Sequence, residues 1–88
     1  MSARHAARLS WRCRRGMKEL DLLLSAWLEA HYAHASEARR GQFEALLGLP
    51  DPELAAYLLA GQRPVLPDMA ALVDLIRAAA PPANKKIM

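Results

Sequence analysis

The sequence predicts an all-α fold, a small five-helix bundle in a single domain, and three observations predict it. Hydrophobic residues make up 53% of the 88 positions, with many Leu and Ala, while the strand formers are scarce. Those apolar residues recur at helical spacing, with no strand-like alternation anywhere. Helix start and stop residues punctuate the chain at regular intervals.

Each element follows from its own residues. A first helix is expected over residues 3–14, ending before Gly16. Leu20, Leu23, Leu24, Trp27, Leu28 and His31 form one face of a helix over 19–33. Ser36-Glu37 opens a third helix over 36–47, with Phe43, Leu46 and Leu47 facing inward. Gly41 sits inside it at a cost of about 1 kcal/mol relative to Ala. Asp51-Pro52-Glu53 is a strong start for a short helix over 51–60, carrying Leu54, Tyr57 and Leu58. Asp51 can cap the first amides, Pro suits the first helical position, and Glu53 favours the positive end of the dipole. Pro67-Asp68 opens the last helix, 67–79, with Met69, Leu72, Val73 and Ile76 on its apolar face. Gly16, Gly48 and Gly61 stand where helix C-caps are expected. The domain is expected to span 1–80, and residues 81–88 to form a frayed tail.

Size and charge narrow the function classes. A chain of this length buries only roughly 60–65% of its unfolded surface, so a deep catalytic cleft is hard to build. A chain without enzymatic activity of its own is expected. The formal net charge is +3, and Arg4, Arg8, Arg12, Arg14, Arg15 and Lys18 all precede the first acid, Glu19. A basic N-terminal arm points to nucleic acid, an anionic membrane or an acidic protein surface. The one cysteine, Cys13, excludes an intrachain disulfide and fits a reducing compartment such as the cytoplasm. No apolar run approaches the ~20 residues of a spanning helix. The N-terminus is Arg-rich and acid-free, as a transit peptide would be. It lacks a signal's apolar core and runs straight into WRCRRG, so it reads as mature protein.

Several sites can be weighed on residue types. Cys13 among arginines would have a lowered pKa, as a nucleophile needs, but no His or Asn partner stands at a suggestive spacing. The plainer reading is a half-buried residue of the first helix. His5, His31 and His34 with Cys13 lack the second cysteine and the spacing of a zinc site, so His31 is expected at the core edge and His34 in solvent. No glycine-rich phosphate loop occurs, and no cofactor is predicted. Residues 43–58 read as helix, turn, helix, which makes a small basic DNA-binding regulator the alternative function. Against it, PELAAYLLAG offers no Arg, Lys, Asn or Gln to a groove, and the basic residues lie in the first helix. That helix has few large apolar residues beyond Leu9 and Trp11, which argues against a lipid surface.

The stretch RCRRGMKELD, residues 12–21, holds the densest charge. Helix ends explain it locally: Arg14 and Arg15 at a negative end, Gly16 as the left-handed turn, Glu19 and Asp21 at a positive end. The functional reading adds a bare notch at Gly16, flanked by Arg15 as a donor fork and Glu19 as an acceptor. Trp11 would be the aromatic anchor beside it.

The run RLSWRCRRGMKELD, residues 8–21, resembles the signature of the bacterial succinate dehydrogenase flavinylation factors. Their Arg-Gly-x-x-Glu motif is matched by Arg15, Gly16 and Glu19, and the likeness runs on through Tyr32, FEALL at 43–47, DPEL at 51–54 and LVDLIR at 72–77. Tyr57 stands where Trp is common and Trp27 where Phe is common; both read as core exchanges. The resemblance implies an all-helical FAD assembly factor. Such a protein binds the flavoprotein subunit of succinate dehydrogenase and, in many bacteria, that of fumarate reductase. It promotes covalent attachment of FAD to a histidine there, a step largely self-catalysed by the flavoprotein. Arg15, Gly16 and Glu19 would then be the centre of the contact, with Arg8 and Trp11 on its flank. Neither nucleic acid nor membrane is an implied partner.

Overall fold

Across residues 3–79, the part of the chain that the computed structural model describes, five α-helices follow one another in the expected order. They are α1 (Ala3–Arg12), α2 (Lys18–His31), α3 (Glu37–Leu47), α4 (Asp51–Leu58) and α5 (Pro67–Ala78). A 3-10 turn, Tyr32–His34, joins α2 to α3. The tail expected at 81–88 lies outside the described residues.

The core gathers around Phe43. Its ring centroid lies 4.7 Å from that of Trp27 and 5.9 Å from that of Tyr32. Such aromatic pairs add about 0.5–1.5 kcal/mol beyond the area they bury. Every helix lends aliphatic side chains to the same cluster: Leu9, Leu20, Leu24, Leu46, Leu54, Leu58, Leu72 and Ile76 are all buried. Leu23, Tyr57 and Met69, expected on inward faces, pack against its margin and stay partly exposed. His31 is exposed, its ring 6.1 Å from that of Trp27.

The structure moves several boundaries. Helix α1 stops at Arg12 instead of 14, and its last amides tighten into a 3-10 pattern, with Cys13 N–H bonding to both Leu9 O and Ser10 O and Arg14 N–H to Trp11 O. Helix α2 ends at His31 because the chain tightens into the 3-10 turn that seats Tyr32 in the core. Ser36 caps α3 as expected, its side chain accepting the Arg39 N–H. Asp51 does not cap α4. Pro50 takes the N-cap place, Asp51 is the first helical residue, and its carboxylate is turned to Arg15 instead. The chain leaves α4 after Leu58, short of residue 60. Cys13 is not half-buried: it is fully enclosed, with 0% exposure.

Candidate partner-binding surface

The residues around Gly16 lie where α1 hands over to α2. Periodicity on α1 decides what faces where. Leu9 and Cys13, four apart, point into the core, and Arg8 and Trp11, three apart, stay exposed. Trp11 is 69% exposed, and the Arg14 guanidinium carbon stands 5.4 Å from its ring centroid. A cation over an exposed indole face is worth about 0.5–1 kcal/mol. It also presents ring and charge as one unit.

The turn itself is closed by hydrogen bonds. The Arg15 N–H donates to Asp21 Oδ1 at 2.7 Å, and the Asp21 N–H donates to Met17 O at 2.9 Å. Gly16 follows with φ of 80°, in the left-handed region that other residues enter at a cost. A methyl group built on Gly16 would meet nothing within 4 Å. The notch is therefore bare, and its glycine is required by backbone conformation alone. Glu19 is exposed in the first turn of α2 and has no ion-pair partner among the described residues.

Arg15 departs from its expected place. Its guanidinium is turned inward, donating to the Leu47 carbonyl oxygen and lying 3.3 Å from Asp51 Oδ1. The side chain is 17% exposed. It clasps the α3–α4 connection against the α1–α2 turn, and Arg12 adds a second clasp by donating to Glu44 O at 3.2 Å. Arg15 thus shapes the notch and does not offer a free fork beside it. Sequence reasoning missed Asp51 and Leu47 as its partners, and Arg14 as the partner of Trp11. The Asp51 pairing leaves no local signal, because the two residues are 36 apart in the chain.

The thiol is poorly placed for chemistry. Burial pushes Cys13 up to about 11; Arg15 pulls it down, Asp21 adds to the rise, and Arg12 opposes it weakly. A thiol held protonated inside a core is a poor nucleophile. Among the described residues no three His, Cys, Asp or Glu side chains gather to hold a metal ion. His5 instead meets Tyr32 and Glu44, with its Nε2 3.2 Å from the Tyr32 hydroxyl. Tyr32 donates to the Glu44 carboxylate, and burial followed by that bond pushes the phenol up to about 12. Helix α4, the recognition helix in the DNA-binding reading, carries Asp51 and Glu53 in its first turn, has no basic residue, and buries Leu54 and Leu58. No described helix is long and apolar enough to cross a membrane.

The chain as a whole is similar to known proteins. A family model described as flavinator of succinate dehydrogenase matches residues 7–80. The FAD assembly factor SdhE of Methylococcus capsulatus is 44% identical over 71 residues, covering 81% of this chain and 86% of that protein. The protein of the same name from Vibrio cholerae is 38% identical over 75 residues, covering 85% and 87%. That of Shewanella oneidensis is 35% identical over 82 residues, covering 93% of this chain and 100% of its own length.

Proposed function

The chain belongs to the family described as flavinator of succinate dehydrogenase, and we infer that it is an assembly factor that promotes attachment of FAD to the flavoprotein subunit of that enzyme. The observation that carries this reading is the family match over residues 7–80, which spans the whole junction built around Gly16. The flavoprotein subunit of fumarate reductase is a second client by the same reading.

The contact we propose uses Arg8, Trp11, Gly16 and Glu19 directly, with Arg15 positioning them. Trp11 supplies apolar area at low entropic cost, Glu19 accepts from a donor on the partner, and Gly16 lets a partner backbone come close. The chain itself does no chemistry in this scheme. Holding the flavoprotein in its reactive arrangement is enough, because positioning alone can lower a barrier by several kcal/mol, up to roughly 7–11 in the best intramolecular cases. The helper achieves this by binding one conformer better than the others. The cytoplasm is the proposed location, consistent with a lone protonated thiol, and neither DNA nor lipid is a proposed partner.

The test is covalent flavin fluorescence. Purified apo flavoprotein subunit is mixed with FAD, with and without this chain, and run on a denaturing gel under ultraviolet light. The fluorescent band should grow faster with the chain and should lose that gain with Glu19→Ala or Trp11→Ala, neither of which removes a buried contact. Equal bands with and without the chain would refute the assembly role. Full activity in both variants would refute the site. Gly16→Arg should also abolish the gain, but it strains the turn as well as filling the notch, so it is the less clean variant.

A further inference from the structure

A second concave surface lies at the far end of α2, about 20 Å from Gly16 along a 14-residue helix rising 1.5 Å per residue. This open groove has a volume of about 570 Å³. Its apolar lining comes from Trp27, Leu75 and Ala78, and its polar lining from His31, His34, Ser36 and Arg39. Among the described residues no Asp or Glu lines it. The nearest acid in sequence, Glu37, is exposed in the first turn of α3 and is not part of the lining.

Arg39 is the telling residue. Its Nη1 is buried and has no hydrogen-bond partner among the described residues, and Arg39 makes no ion pair there. A guanidinium donor taken out of water and left unpaired is costly, and buried donors are rarely left so. The groove also takes in the N-terminal end of α3. There the Ser36 side chain accepts the Arg39 N–H and leaves its own hydroxyl proton free to donate. Helix end, guanidinium, hydroxyl and two imidazoles all favour negative charge. The floor beneath them favours hydrocarbon.

We propose that this groove binds a peptide segment of a partner protein that carries a carboxylate beside an aliphatic side chain. The carboxylate would pair with the Arg39 guanidinium, drawing its enclosed Nη1 out towards the groove, and would accept from the Ser36 hydroxyl, with His31 and His34 at the rim. The aliphatic group would lie on Trp27, Leu75 and Ala78. A bare anion would leave most of the volume and all of the apolar floor unused. The proposal does not depend on the identity of the partner bound at Gly16.

The experiment is a nuclear magnetic resonance titration of the full chain with N-acetyl-Leu-Asp-Leu amide, its Asn counterpart and sodium acetate. The Asp peptide should give saturable shifts at the Trp27 indole N–H, the Arg39 side chain and the Ala35 and Ala78 amides. The Asn peptide should bind about tenfold more weakly, as expected for loss of one charge-assisted hydrogen bond. Arg39→Gln should lose the preference for Asp. Ala78→Glu, which sets the chain's own carboxylate in the groove, should lose it as well, and it decides the matter if Arg39→Gln fails to fold. Equal binding of the two peptides, saturation by acetate at the same concentration, or no saturable shift would each overturn the proposal.

Discussion

Arg14 and Arg15 are neighbours in the chain and face opposite ways. Arg14 lies outside, over the exposed ring of Trp11. Arg15 lies inside, against Leu47 O and Asp51. The α1–α2 junction therefore has an inner side, where charges are spent on the fold, and an outer side, where Trp11, Arg14, Gly16 and Glu19 are exposed and, among the described residues, Trp11 and Arg14 pair only with each other. The difference teaches that a charged motif need not act as one unit. Its inner members set the shape, and its outer members are left for a partner.

The largest effects separate the two sides on α1. Leu9→Ala should lower stability by about 2–5 kcal/mol, the usual cost of emptying a core leucine site. Trp11→Ala, on the other face, should cost no more than about 1 kcal/mol, the worth of the Arg14 contact it removes. Urea unfolding followed by circular dichroism measures both, and a comparable loss in the two variants would erase the distinction. Next come the charged residues. Arg15→Ala strips a half-buried carbonyl of its donor and should cost about 1–3 kcal/mol. Glu19→Ala should leave the melting temperature unchanged while removing the gain in flavin attachment. If Arg15→Ala melts like the parent and still loses activity, Arg15 belongs on the outer side after all.

The buried thiol gives the inner side a signature in pH. An ordinary thiol releases its proton near 9.0, whereas folded Cys13 holds it to about 11. The unfolded chain loses the proton first, so stability is full below pH 9 and drains as pH rises towards 11. Cys13→Ala should flatten that decline in thermal melts taken across the window. The slope that remains belongs to groups such as Tyr32, held up to about 12. An unchanged slope would mean the thiol is open to water. A smaller effect than that of emptying the core is expected at the notch. Gly16→Ala should cost about 1 kcal/mol through backbone strain alone. Gly16→Asn should cost less, since Asn tolerates the left-handed region. Equal melting of all three chains would show that the turn can relax.

The order and number of helices could be read from periodicity and punctuation, because both are local. Ser36 as a cap, and Phe43, Leu46 and Leu47 as core, came from spacing a few residues wide. What escaped the sequence was non-local. Nothing near Asp51 says that it will serve Arg15 instead of its own helix, and nothing near Cys13 says that it will be fully enclosed. The site divides in the same way. Gly16, Glu19 and Trp11 could be picked out from the motif and from helix ends, and the inward turn of Arg15 could not. That turn depends on where α3 and α4 come to rest.

The two tryptophans also divide between the two regions. Trp27 is packed against Phe43 in the interior, and Trp11 stands in solvent under Arg14. The chain thus carries two intrinsic fluorophores with separate duties. Emission from Trp11 should be readily quenched by acrylamide and should turn blue and protected when a partner covers the junction. Emission from Trp27 should stay shielded until the bundle melts. Docking and unfolding can then be followed in one cuvette, by colour, with no label attached.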